Sequence, residues 1–339
     1  MKIIKDAKRS QFTNDNGIIC SKIEGDITLK VSKFYSEAPF PNYQGYENKL
    51  MLSQIVSENS FLNDLKKHIG LNKAFIEVGS GTCQLSLAMA IGTNNLIVAM
   101  DPTKESLQLG KEFADKNAIN NVVFLNSDIF DNDVQDNLFD VVWCSGVLHH
   151  TKDSKKGFEI ISRWAKEDGL IIVGVYNKIG RLRTNFRQLI YKLLKKSGFV
   201  VKLISLLDPH LRKNLSEEKK QAWFRDQYDH PVERKHSVDE VINWFEENNI
   251  SYLGSIPSPS FQFENVSQMN GYKGTYLDRT FAQISMLFSN LGGEGGLCIV
   301  VGKKSKKRAR AAPSPTRARV PSHHTRGVPF AAGRRYTET

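Results

Sequence analysis

The sequence predicts an α/β protein built on a doubly wound, mostly parallel sheet, and three observations carry that prediction. Between Lys73 and about Tyr176, short apolar runs alternate with stretches of helical periodicity, the pattern that right-handed crossovers turn into a parallel sheet. Each run is nearly all apolar, as expected of strands covered on both faces. The first run, Phe75-Ile-Glu-Val78, leads directly into a glycine-rich turn, Gly79-Ser80-Gly81, and then into a helical stretch.

Taken in order, residues 1–70 read as a leader. Its aromatic-proline run Pro39-Phe-Pro-Asn-Tyr43 cannot be helical, because proline fixes its own φ and biases the residue before it to extended geometry. An ordered extended strap is expected there, followed by one helix or two short ones over Leu50–Ile69, where Leu52, Ile55, Val56, Leu62 and Leu65 recur at near-helical spacing. Residues 71–180 form the core, with strands at Ala74–Val78, Leu96–Met100, Val122–Asn126, Phe139–Cys144 and Leu170–Val175. Helices are predicted at Gln84–Ile91, Lys104–Asn117 and Ser154–Ala165. Residues 181–236 are amphipathic and largely basic as far as Arg225, and they read as a helical cap inserted after the fifth strand. Residues 237–302 return to the core: Ser237-Val-Asp-Glu240 is a capping box opening a helix over Val238–Asn248. A strand at Tyr252–Ile256, a helix at Tyr276–Leu291 and a strand at Leu297–Val301 follow.

Residues 303–339 hold four prolines and few large aliphatic side chains, so a disordered tail is expected. The tail also explains the formal charge of +11: from Lys303 on there are eleven Lys or Arg and one acid, leaving the other 302 residues nearly neutral. Bulk charge therefore gives no reason to expect a nucleic-acid partner for the body, and nonspecific contact by the tail is the residual possibility. No apolar run approaches the roughly 18 residues of a membrane-spanning helix, and Met1 to Ser10 lack the apolar centre of a secretory signal. A cytoplasmic protein with no membrane partner is expected. The four cysteines, at 20, 83, 144 and 298, have no metal-type spacing and read as reduced packing residues.

Chemistry concentrates where the predicted strands end. Gly79 and Gly81 permit close approach of a ligand to backbone, and the strand before and helix after them are the context a nucleotide-type site demands. Asp101 ends the next strand, 22 positions after Gly79 and near the interval at which an acid meets ribose hydroxyls. A dinucleotide fingerprint would place a third glycine five positions after the first, where this chain has Gln84, so a donor without phosphates fits better. Asp128 follows the third strand and offers an acceptor for an exocyclic amine, with Ile129 as an apolar wall for a base. The fourth strand leads into Ser145-Gly-Val-Leu-His-His150 and the fifth into Tyr176-Asn177.

These residues together resemble the class I S-adenosylmethionine-dependent methyltransferases, over about Leu71 to Lys303. The likeness is carried by Glu77-Val-Gly-Ser-Gly-Thr82, Asp101-Pro102, Asp128-Ile129, Phe139-Asp-Val-Val142 and Val147-Leu-His-His150. The resemblance implies a Rossmann-like sheet of seven strands in the order 3-2-1-4-5-7-6, with the last strand antiparallel. It implies S-adenosylmethionine as cofactor, bound by Glu77, Gly79, Ser80 and Gly81 near the methionine part and Asp101 and Pro102 at the ribose. Asp128 and Ile129 would meet the adenine, and Ser145 would complete the site. The family turn usually has glycine where this chain has Cys83, which implies crowding rather than loss of binding. The Pro39–Tyr43 leader, Val147-Leu-His-His150, Tyr176-Asn177-Lys178 and Asp226-Gln-Tyr-Asp-His-Pro231 look like marks of a subgroup.

A bound sulfonium makes its methyl electrophilic, so alignment and exclusion of water are the protein's main tasks. A base helps if the acceptor is a hydroxyl or an activated carbon, and His149 and His150 are the candidates, with His149 nearer the cofactor; the alternative is that they only shape the pocket. Arg181, Arg183 and Arg187 offer forked donors to an acceptor carboxylate or phosphate, unless they merely solvate a helix face. Tyr176, Arg181, Tyr228 and His230 stand as the acceptor-binding candidates, with Trp223 near the cap. Asp226, Asp229, His230, Glu233 and His236 are spaced too irregularly for a metal set and read as a hydrogen-bond network. A small-molecule methyl acceptor is the leading expectation. RNA or protein methylation and a non-catalytic binding module remain the alternatives.

Overall fold

The structure is a computed structural model that describes residues 3–5, 11–41, 43, 46–131, 133–194, 197–213, 215–262, 265–289 and 295–306. It begins with a hairpin of two three-residue strands, β1 (Thr13–Asp15) and β2 (Ile18–Cys20). The connecting residues Asn16 and Gly17 both have positive φ, 51° and 83°, as a two-residue turn with the twist of its strands requires. Helix α1 (Asp26–Glu37) has no fully buried residue and no side-chain cap, so no capping residue announces it in the sequence. Helices α2 (Lys49–Ser57) and α3 (Ser60–Ile69) are capped by Asn48 and Asn59, each cap contributing roughly 1 kcal/mol.

The alternating core follows: β3 (Ala74–Val78), α4 (Gln84–Ala90), β4 (Leu96–Asp101), α5 (Lys104–Lys116), β5 (Val122–Asn126), β6 (Phe139–Ser145), α6 (Ser154–Trp164) and β7 (Ala165–Tyr176). Helices α7 (Leu182–Leu193), α8 (Gly198–Leu207) and α9 (Glu217–Phe224) come next and run into a π-helical turn at Arg225–Asp229. Then come α10 (Val238–Glu247), β8 (Ile250–Ile256), α11 (Tyr276–Ser285) and β9 (Leu297–Lys304). The capping box of Ser237 and Glu240 is formed at the start of α10.

Among the described residues the sheet has nine strands in the order β1-β2-β5-β4-β3-β6-β7-β9-β8, which corrects the expected seven. The two additional strands extend it beyond β5: β2 lies parallel to β5 and β1 antiparallel to β2. Their sequence signal is the Asn16-Gly17 turn, since three-residue strands are too short for alternation to register. At the other edge β9 is antiparallel to both β7 and β8.

Side chains of β3 alternate between faces, Phe75 joining one apolar cluster and Ile76 the other, so the sheet is the middle of three layers. Each fully buried side chain of this size contributes roughly 1.5–3 kcal/mol. A third, smaller cluster holds α7, α8 and α9 together around Tyr191, Val200, Ile204, Trp223 and Tyr228. Further boundaries differ from expectation, among them the start of β7 at Ala165 rather than Leu170. Lys303 and Lys304 belong to β9 rather than to the tail, and α11 stops at Ser285 rather than Leu291. The remainder of the tail, residues 307–339, lies outside the described residues.

Candidate active site

Strands β3 to β6 end along one edge, where the parallel order reverses between β3 and its neighbours β4 and β6, and a cavity of about 560 Å³ opens there. Open parallel sheets place ligands at such a switch point. One end of the cavity is built from the turns that follow the strands. Gly79 (φ 71°) and Gly81 (φ 51°) are left-handed, and packing as well as ligand approach demands glycine. A Cβ on Gly79 would stand 2.1 Å from Val147 Cγ2, and one on Gly81 2.6 Å from the Phe40 carbonyl oxygen. Cys83 is left-handed too, with φ 67°. The crowding expected of its side chain is relieved by Gly110 of α5, where a Cβ would meet Cys83 Sγ at 2.7 Å.

Asp101 fastens this turn: the Gly81 amide donates to Oδ2 at 2.8 Å and the Thr103 amide to Oδ1 at 2.7 Å. Burial raises its pKa against the pull of these amides. Glu77, buried at the end of β3, accepts from the Ser86 amide at 2.9 Å and from the Ser86 hydroxyl, and burial pushes its carboxyl up to about 8. Asp128 accepts from Thr28 Oγ1 of α1 at 2.6 Å and from the Phe130 amide at 3.1 Å. Glu77, Gly79, Ser80, Gly81, Asp101, Pro102, Asp128, Ile129 and Ser145 all line the one cavity.

The opposite end gathers side chains distant in sequence. Asp226, in the π-helical turn, receives the Tyr35 hydroxyl on Oδ1 at 2.6 Å; Tyr176 and Gln227 donate to Oδ2 at 3.3 and 2.8 Å. Tyr35, Phe40, His150, Tyr176, Trp223 and Asp226 all face the cavity. Thr28, Val31 and Tyr35 reach it from one side of α1, a spacing of three and seven that was the available signal for this missed helix. The indole of Trp223 stacks on His210 at 3.9 Å and donates to Asp208 at 3.1 Å.

Six candidates are not on the cavity wall: His149, Arg181, Arg183, Arg187, Tyr228 and His230. His149 and His150 share a 3₁₀ turn, Leu148–His150, whose three residues per turn send neighbours in different directions. His149 is therefore fully buried beneath Tyr176, 4.0 Å from its ring, and is absent from the cavity lining; burial holds its pKa well below the usual imidazole range. His150 does face the cavity. Its Nδ1 lies 2.6 Å from the Val232 carbonyl, so Nδ1 carries the proton and Nε2 is left basic; burial lowers its pKa as well. His230 stacks behind His150 at 3.6 Å, its pKa pushed down to about 3 by burial and by that neighbour.

Arg181 is fully buried and committed to protein. It donates to Glu233 from Nε and Nη2 at 3.1 and 2.6 Å, to the Gly295 carbonyl at 2.9 Å and to Gln227. Burial alone would raise the Glu233 carboxyl, but Arg181 more than offsets it and holds it below the ordinary carboxylate range. Arg187 is likewise spent on the Leu207 carbonyl and Thr184. Tyr228 donates to Asp208 at 2.8 Å inside the cap cluster. In a helical segment that supports a cap, the inward positions need donors for buried carbonyls and carboxylates, and these residues fill them. Among the described residues that line the cavity there is no Lys or Arg, while four carboxylates do line it: Glu77, Asp101, Asp128 and Asp226.

A family described as a methyltransferase domain matches residues 69–249, more than half of the chain. An uncharacterized protein of Synechococcus sp. is 25% identical over 253 residues, 67% of this chain and 60% of its own length. The uncharacterized methyltransferase YcgJ of Bacillus subtilis is 26% identical over 98 residues, 29% of this chain and 38% of its own. The chain thus spans less than two thirds of the length of either curated relative. Among solved structures, PKMT2 of Rickettsia typhi in complex with AdoHcy is 14% identical with a TM-score of 0.50, over 73% of this chain and 53% of that one, a likeness of fold.

Proposed function

The chain belongs to the methyltransferase-domain family, and from that premise we propose that it transfers the methyl group of S-adenosylmethionine to a small-molecule acceptor that is uncharged or cationic. The observation that carries this reading is the make-up of the cavity wall: four carboxyl groups and no Lys or Arg among the described lining residues. Carboxyl groups gathered on a buried wall favour a cation beside them, and a cationic sulfonium donor supplies one. A phosphate or carboxylate on the acceptor would bring an anion instead, which speaks against RNA and removes the basis for an arginine clamp.

S-adenosylmethionine, when bound, supplies a methyl group already activated for transfer. Glu77 and the Gly79–Gly81 turn would hold its methionine part, Asp101 with Pro102 its ribose, and Asp128 with Ile129 its adenine. The turn is preset for this role, because Asp101 anchors the Gly81 amide before any ligand arrives. At the other end Asp226, Tyr35 and Tyr176 orient the acceptor, while Phe40 and Trp223 exclude water. His150, neutral and with Nε2 basic, takes the proton from an acceptor hydroxyl or amine.

Calorimetric titration tests the donor site: S-adenosylmethionine and its demethylated product both bind, and Asp101→Ala weakens both by roughly tenfold or more. Binding of NADH in their place would overturn the assignment. Methyl-labelled donor, incubated with the protein and a cell extract that is then fractionated, tests the acceptor. Label in the small-molecule fraction is expected, and label confined to RNA or protein would overturn that part. No label in any fraction would favour a binding module.

A further inference from the structure

We propose that the hairpin of α7 and α8 is an interfacial element that lays its outer face on an anionic lipid bilayer. The amphipathicity of α7 is inverted relative to a helix that serves only the core. It buries Thr184, Arg187 and Tyr191 and presents Leu182, Phe186, Leu189 and Leu193 to solvent at 52%, 63%, 52% and 68% exposure. Their spacing of four, three and four residues makes one continuous stripe. Helix α8 packs against α7 and adds Phe199, Leu206 and Leu207, at 74%, 67% and 47% exposure. Isolated apolar residues on a surface need no explanation, but seven on two adjoining helices form a patch of the kind that marks an interaction site.

Charge selects the occupant. From Leu182 to Leu207 the sequence contains six Lys or Arg and no Asp or Glu, and Arg183, Lys192 and Lys202 are exposed among the apolar side chains. A second copy of this chain would bring the same positive face against itself. The Arg-rich residues after Lys307 carry the same sign and are repelled in the same way. An anionic headgroup layer complements both features: Phe and Leu enter the boundary between headgroups and acyl chains, while the long basic side chains reach back to phosphates. No described helix is long and apolar enough to cross a membrane. This mode lies on the surface, so the absence of a spanning run in the sequence does not bear on it.

The test uses the full chain and sedimentation with vesicles of phosphatidylcholine alone or mixed with phosphatidylglycerol. Binding to the mixed vesicles is expected to exceed that to the neutral ones by on the order of tenfold and to fall with salt. The double variant Phe186→Ser, Leu193→Ser should lose on the order of tenfold in binding while keeping its melting temperature and its affinity for S-adenosylmethionine, since both side chains are exposed. Because the four native tryptophans are buried, Phe199→Trp adds a solvent-exposed emitter whose fluorescence should shift to the blue on vesicles. Binding that survives the double variant with no such shift would assign the effect to the basic tail and overturn the proposal. Absence of binding to mixed vesicles would overturn it too, as would a dimer in light scattering that the double variant dissolves.

Discussion

At the donor end of the cavity, Glu77, the Gly79–Gly81 turn, Asp101 and Asp128 each sit at or just beyond the end of a strand, held by amides and hydroxyls close at hand in the fold. At the acceptor end, Asp226 is held by Tyr35 from 191 residues earlier and Tyr176 from 50 residues earlier, and the wall is completed by residues of the strap and α9. The first end is a set of turns held mainly by neighbouring amides, with Thr28 of α1 added at Asp128. The second is an agreement among segments that only packing brings together, so it should respond to changes in the cap that leave the donor end untouched.

The strongest way to break that comparison is Arg181→Ala. Removing the buried, bidentate Arg181 leaves Glu233 with only Lys235 at 3.5 Å and Gln188 at 3.2 Å among the described residues and should cost roughly 3 kcal/mol of stability, the lower end for a broken buried pair. Urea denaturation should show this loss, while the folded fraction binds S-adenosylmethionine with unchanged affinity. A stable variant with a specific defect for an anionic acceptor would restore Arg181 as an acceptor clamp.

A second test sharpens the donor end through pH. Burial holds the Glu77 carboxyl at about 8 in the free protein, and a bound cation favours its ionised form. Below pH 8 binding must therefore expel a proton, so the affinity for S-adenosylmethionine should rise by up to tenfold per pH unit from pH 6 toward 8 and then level. Calorimetry in buffers of different ionisation enthalpy should detect the released proton. Glu77→Gln should flatten the profile, and a flat profile in the native protein would remove Glu77 from contact with the donor's charge.

The smallest effect is expected of Tyr35→Phe, which deletes one donor to Asp226. About 1 kcal/mol of stability should be lost, with donor affinity unchanged, because the hydroxyl donates to Asp226. A matching loss of S-adenosylmethionine binding would show the two ends to be coupled.

The same contrast explains what was legible without coordinates. The core strands were plain because each is a continuous apolar run, and the Gly79–Gly81 turn because left-handed backbone leaves its trace in residue type. The β1–β2 hairpin escaped because its strands are three residues long, although Asn16-Gly17 names its turn. His149 and His150 are indistinguishable as letters, and only the 3₁₀ geometry of their turn sends one into the body and the other to the cavity. Arg181 has the composition of a ligand-binding residue, and its burial against Glu233 could not be foreseen from a separation of 52 positions.

The amino-acid sequence by itself determined the alternating core, the glycine turn and the spaced acids, because hydrophobic periodicity and backbone permissiveness act over a few residues. Tertiary structure alone decided which tyrosine reaches which carboxylate, which histidine meets the cavity, and that its wall carries no Lys or Arg among the described residues. Those outcomes depend on how the cap and α1 settle against the sheet, a matter of long-range packing that leaves no periodic mark along the chain.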